Sequence, residues 1–188
     1  MKRAVVIGGA GFIGSNLCKR LAYDGVNVTS LDNYGTGSEL NHVPGVGYKK
    51  GCASKVSKYS MPLNPDVVFH LGEFSRVEQS VNEPFNSARG IRDTLLPVIE
   101  YCHRVNAKLI YSGSSTRFGD AESPYSIAKA CNAQFVKDFC SYMSIDYAIT
   151  YFYNVYGPGE IAVGVYGTVI AMFVRLMVVG GRVGVTSP

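Results

Sequence analysis

The chain has 188 residues, 47% hydrophobic and 17% charged, which fits one globular domain or a domain with a small appendage, long enough to bury a core. Its 18 Lys and Arg are scattered and the net charge is only +4, which argues against a nucleic-acid partner. Five Cys without a CxxC pair and three His without ligand spacing point to reduced thiols in a cytoplasmic protein and to no structural metal.

The opening MKRAVVIGGAG carries two basic residues, but its apolar run breaks into glycines too early for a secretory signal. Residues 4–8 (AVVIG) read as a strand. Residues 12–25 read as an amphipathic helix closed by Gly25. Strands are expected at 26–32 and 66–72, the latter after an Asn-Pro turn. A long helix follows at 84–106, in which Gly90 and Pro97 suggest a kink. A strand at 107–113, a helix at 123–143 and a strand at 146–154 complete the series. The tail from Ile161 to Val179 is apolar apart from Arg175. Glycines 164 and 167 leave it short of the roughly 18 uninterrupted apolar residues of a membrane span, so a loop and a buried helix are expected. Apolar strands alternating with helices predict a Rossmann-type, doubly wound parallel α/β sheet with helices on both faces. Residues 1–160 would form this Rossmann-like domain and 161–188 the start of a second, incomplete portion.

The motif Gly8-Gly9-Ala10-Gly11-Phe12-Ile13-Gly14 follows the first strand and opens the first helix. A chain at that point must turn tightly, approach a pyrophosphate without a Cβ in the way, and pack helix on strand. Glycine meets each demand, and the helix N-terminus offers free N–H groups to phosphate. Asp32, followed by Asn33, ends the next strand, where a carboxylate can hold the adenosine ribose hydroxyls. No Arg follows it in DNYGTGS (32–38). A carboxylate there repels a 2′-phosphate, so NAD is expected rather than NADP.

Tyr125 and Lys129 stand at i and i+4 near the start of a helix and project from one face. A phenol with an ordinary pKa near 10 is a poor base at neutral pH. A neighbouring ammonium and a positive nicotinamide ring would favour the phenolate. Ser114, with Ser112 and Ser115 as fallbacks, ends the preceding strand and can hydrogen-bond the same substrate oxygen. On its own YxxxK is common; behind a dinucleotide fingerprint and a serine-bearing strand it reads as a catalytic triad.

GGAGFIG, Asp32, FHLG at 69–72, the serine cluster, YSIAK and YFYNVYGPGE at 151–160 together resemble the extended short-chain dehydrogenases/reductases. The nearest likeness is to NAD-dependent nucleotide-sugar epimerases of the UDP-glucose 4-epimerase type. The resemblance implies Tyr125 as acid/base, Lys129 orienting the cofactor ribose and lowering the tyrosine's pKa, and Ser114 completing the triad. It places Leu71 and Gly72 along the cofactor, Tyr153 and Val155 near the nicotinamide, and Asn154 near the phosphate of a UDP-sugar. It also implies a homodimer through helices 84–106 and 123–143. Val98, Ile99, Phe135, Val136 and Phe139 are the candidate interface residues, unless they pack on the sheet.

Four departures from that pattern stand out. GCAS (51–54) puts Cys52 where relatives have an acid near adenine. Glu73 and Arg76 stand where relatives have small or uncharged residues, Arg76 being a candidate phosphate ligand. The GDAESP link (119–124) is shorter than the segment relatives carry over the site. The sequence ends at GGRVGVTSP, so most of the substrate lobe is expected to be missing. Ser115-Thr116-Arg117 replaces the Asp-Glu pair of sugar-nucleotide dehydratases and disfavours that chemistry. A reductase or decarboxylase on the same scaffold, or an NAD-binding module with little turnover, are the competing expectations.

Overall fold

The computed structural model describes residues 1–118, 123–162 and 167–179. Six strands form one sheet: β1 (Arg3–Ile7), β2 (Asn27–Asp32), β3 (Gly47–Lys50), β4 (Val67–His70), β5 (Lys108–Ser114) and β6 (Tyr147–Phe152). Their order is β3-β2-β1-β4-β5-β6, and each neighbouring pair is parallel. This is the doubly wound Rossmann arrangement, with the order reversing between β1 and β4. The helices are α1 (Phe12–Tyr23), α2 (Val77–Asn82), α3 (Pro84–Val105), α4 (Pro124–Tyr142) and α5 (Val169–Val178).

The alternation of side chains along a strand divides the core into two layers. From β1, Val5 and Ile7 enter a cluster with Leu95, Val98 and Ile99 of α3 and Val136 and Cys140 of α4. Ala4 and Val6 point the other way and meet Cys18 and Leu21 of α1. Both faces of the central strands are therefore covered, which is why their sequences run apolar without a break. Each fully buried Val, Leu or Ile there contributes roughly 1.5–3 kcal/mol by leaving water.

α1 ends as expected. Gly25 adopts φ +77°, and the N–H groups of Gly25 and Val26 donate to Ala22 and Leu21. α3 is a single helix that runs through both Gly90 and Pro97. The packing decides one open alternative, adds two short elements and corrects one expectation. Val98, Ile99 and Val136 are at most 1% exposed and belong to the core, leaving Phe135, stacked 5.0 Å from Phe139, as the exposed member of the proposed interface set. The short elements β3 and α2 were not expected. α5 has no buried residue: Val174 is 55% and Met177 77% exposed. Its apolar composition predicted a buried helix. Among the described residues, however, one side only faces a hollow shared with the 156–162 loop.

Candidate active site

At the carboxyl ends of the strands, across the point where their order reverses, lies a cleft of about 560 Å³. Doubly wound sheets place ligands in this position. Gly8, Gly11, Phe12, Ile13, Gly14, Asp32, Asn33, Leu71 and Gly72 line one side. Arg76, Ser114, Tyr125, Lys129, Tyr153, Asn154 and Val155 line it as well. The sequence-predicted residues thus share one cavity, although they come from six separate segments of the chain.

The glycine turn is sterically determined. Gly8 has φ +86°, and a Cβ on it would lie 2.7 Å from the Cα of Gly72, so the ends of β1 and β4 touch there. A Cβ on Gly14 would lie 2.0 Å from the Gly8 carbonyl oxygen. Gly11 is the N-cap of α1 and supplies no side-chain cap, so the first-turn amides keep their donors for a ligand. Asp32 is 6% exposed. Its Oδ2 accepts from the Ala10 N–H at 2.9 Å and its Oδ1 from the Tyr34 N–H at 2.8 Å. The acid therefore also braces the glycine turn, and each oxygen retains lone-pair capacity. This half fits a dinucleotide: a cradle without Cβ atoms, a helix N-terminus, and a carboxylate beyond it. Asn33 is exposed and caps the Gly35 N–H at 2.9 Å.

The other half is held by α4 and β5. Ser123 caps α4 in a reciprocal box with Ser126, and Pro124 occupies the first turn, fixing where Tyr125 begins. The Tyr125 N–H donates to Ser80 Oγ of α2 at 3.3 Å. Ser114 closes β5 and is 8% exposed, with its Oγ 2.9 Å from Thr116 Oγ1. Lys129, one turn after Tyr125, is only 5% exposed. Its Nζ donates to Glu73 Oε2 at 2.6 Å, to the Ser112 carbonyl, and loosely to Ser112 Oγ at 3.4 Å. It also lies 4.7 Å from the centre of the Tyr111 ring.

Glu73 is the hub of this buried group. It accepts from Tyr111 Oη at 2.9 Å and from Asn132 Nδ2 at 3.3 Å. His70 Nε2 stands 3.4 Å from Glu73 Oε1 without hydrogen-bond geometry. Burial pushes the His70 imidazole down to about 4 and outweighs the pull of Glu73. Burial first, and Glu73 second, push the Tyr111 phenol far above its usual range. Sequence reasoning noticed the charge at 73 but not its partner, and it did not single out His70, Tyr111 or Asn132. The available signal was a carboxylate three residues after a strand-end histidine, opposite a lysine one helical turn past a tyrosine.

On the outer side, Arg76 is the N-cap of α2. Tyr153, Asn154 and Val155 follow β6 as an exposed segment. Asn16 Nδ2 of α1 donates to the Pro158 carbonyl at 2.8 Å and ties that segment to the glycine-turn helix. Cys52 lines the cavity, and its N–H donates to Tyr59 Oη at 3.2 Å. Residues 119–122 of the 119–124 link, and 163–166 and 180–188 of the tail, lie outside the described residues.

Known proteins resemble this chain in sequence or in architecture. A UDP-N-acetyl-alpha-D-glucosaminuronate decarboxylase of Bacillus cytotoxicus is 25% identical over 201 residues, covering 95% of this chain and 62% of the relative. The UDP-glucose 4-epimerase of Thermotoga maritima, solved with UDP-glucose, superposes with a TM-score of 0.89 at 26% identity, over 98% of this chain and 66% of that one. The Thermus thermophilus UDP-glucose 4-epimerase, solved with NAD, gives a TM-score of 0.81 at 26% identity, over 96% and 64%. The chain thus spans about three fifths of the length of the curated relative. The model of the NAD dependent epimerase/dehydratase family matches residues 4–187, and the chain belongs to that family.

Proposed function

We propose that the chain is the NAD-binding and catalytic portion of a nucleotide-sugar 4-epimerase acting on a UDP-sugar. The observation that carries this reading is the single cleft that joins the glycine cradle, Asp32 and the Ser114–Tyr125–Lys129 set. NAD, when bound, supplies the acceptor and then the donor of the hydride. The protein's own residues bind, orient and manage the proton. Gly8, Gly11 and Gly14 admit the pyrophosphate, the α1 amides of Phe12 and Ile13 hold it, and Asp32 with Asn33 receives the ribose. Leu71, Gly72, Tyr153 and Val155 enclose the nicotinamide end. Tyr125 takes the proton of the sugar hydroxyl and returns it, and Ser114 hydrogen-bonds the same oxygen. Lys129 orients the ribose, while Arg76 and Asn154 reach the UDP phosphates. Residues 1–160 form the cofactor domain and 161–188 begin the substrate portion. The active form is a homodimer in the cytoplasm.

The Bacillus relative's name favours one second reading. A uronic acid oxidised at C4 becomes a β-keto acid, which loses CO₂ readily, so the same proton handling would serve a decarboxylase. Incubation with NAD and either UDP-glucose, UDP-galactose or UDP-glucuronic acid separates the two by product. Interconversion of the first pair is expected; pentose formation from the third would transfer the assignment. Tyr125→Phe should lower turnover by about 10²–10⁴-fold while NAD affinity, read by calorimetry, stays within about twofold. Unchanged turnover would remove Tyr125 from the chemistry.

A further inference from the structure

Ala10, in the middle of the glycine turn, is 0% exposed, and both polar groups of its backbone are gripped from β2 and the segment after it. Its N–H donates to Asp32 Oδ2 at 2.9 Å. Its carbonyl oxygen accepts from the Ser38 N–H at 3.1 Å and from Asn41 Nδ2 at 2.8 Å, which fills both lone pairs. Gly37 lies against the turn: a Cβ there would stand 3.0 Å from the Ala10 carbonyl and from Asp32 Oδ1. The ends of the segment are fastened as well. The Tyr34 N–H donates to Asp32 Oδ1, and Tyr34 Oη lies 2.9 Å from His42 Nε2, whose ring stacks on Tyr48. Between these fastenings Gly35 and Thr36 line the cleft. Residues 33–42 thus form a strap over the glycine turn, and Asn41, which has no part in the reading above, is its side-chain hold on Ala10.

We propose that Asn41 is a positioning residue for the cofactor pyrophosphate: its amide holds the Ala10–Gly11 peptide in the orientation that keeps the Ala10 oxygen on the strap. This rests on the reading of the cleft as a dinucleotide site. The peptide needs such a hold because it precedes a glycine. Rotating a peptide plane changes ψ of the residue before it and φ of the residue after it. Gly11, at φ −79°, can leave that value at little steric cost. The carbonyl and the Gly11 N–H point to opposite sides of the plane, and that N–H donates to the Gly8 carbonyl inside the turn. Rotation therefore carries the Ala10 oxygen off the strap and into the turn whose amides attract phosphate. An oxygen dipole there repels an anion. Ser38 restrains the oxygen through backbone alone, and Asn41 adds the second restraint from 31 residues away.

The test compares this chain with Asn41→Ala in calorimetric titrations with NAD and with ADP, and in ligand-observed NMR titrations with millimolar adenosine. The Ala10 oxygen keeps the Ser38 N–H in the variant, and Asn41 is only half-buried, so the fold should persist. Asn41→Leu, which removes the donor and keeps the volume, takes its place if Asn41→Ala does not fold. NAD and ADP should each bind about tenfold more weakly, while adenosine, which carries no phosphate, stays within about twofold. A merely structural role would weaken all three ligands alike. Unchanged affinity for NAD and ADP, or an equal loss for adenosine, would overturn the proposal. Failure of the unaltered chain to bind NAD would instead remove the dinucleotide reading, and the proposal with it.

Discussion

The wall of the cleft made by β1, β2 and the start of α1 is held differently from the region that follows β6. In the first, position is set by backbone: Gly8 and Gly14 sit where a Cβ would overlap main-chain atoms, and Asp32 is pinned by two N–H groups. In the second, Tyr153 is 69% and Tyr156 68% exposed, and among the described residues one side-chain hydrogen bond, from Asn16, reaches across from α1. The first wall is thus a mould that the fold itself requires, so damage to it costs both stability and cofactor. The second is a display of side chains whose alteration affects ligands more than folding.

The hardest way to break the mould is Gly14→Ala. The added methyl would meet the Gly8 carbonyl oxygen at 2.0 Å, and relief requires the turn to open. We expect a loss of roughly 3 kcal/mol or more in chemical denaturation and at least about a hundredfold loss of NAD affinity. An Ala variant of wild-type stability that binds NAD normally would show the turn to be plastic.

Acid is the next probe, because it acts on the buried centre between the two walls. His70 is held neutral, its pKa pushed down to about 4 from an ordinary 6.5, chiefly by burial. Between those values the unfolded chain takes up a proton that the folded chain refuses, so stability falls as pH drops from 6.5 towards 4 and is fully present above 6.5. The contribution of this one group is roughly 3 kcal/mol. Denaturation series at pH 7, 5.5 and 4.5 should show that slope. They should also show a flatter one in His70→Phe, which keeps an aromatic ring beside Tyr111. Parallel slopes would mean that His70 titrates normally.

These outcomes bear on what a reader of the sequence could see. The glycine turn, Asp32 and the Tyr125–Lys129 spacing were legible because each depends on local geometry: φ sign, the missing Cβ, one helical turn. The strand and helix alternation was legible because both faces of the sheet are covered and the strands run apolar. The Glu73–Lys129 pair was not, since its members lie 56 residues apart and a charge after a strand ordinarily faces water. β3 was missed because it is a four-residue edge strand reading GYKK, with no apolar alternation. The exposure of α5 was missed because an apolar sequence demands a cover without saying which element provides it.

Arg76→Ala should sharpen the comparison with a smaller effect. Under the proposed function it weakens UDP binding by about tenfold, or about 1.4 kcal/mol, with NAD affinity and the melting transition unchanged. Equal losses for UDP and NAD would assign Arg76 to the common framework of the cleft.

The smallest effect should come from α5. Met177 is 77% and Val178 81% exposed, so a polar residue there removes little apolar area from any packed contact. Met177→Glu should shift the stability of this chain by less than about 0.5 kcal/mol, leave NAD affinity as it is, and raise solubility by breaking an apolar surface. A loss of about 2 kcal/mol would place Met177 against a packed neighbour. It would also make the region after β6 part of the same rigid framework as the glycine turn, and the contrast between the two walls would fail.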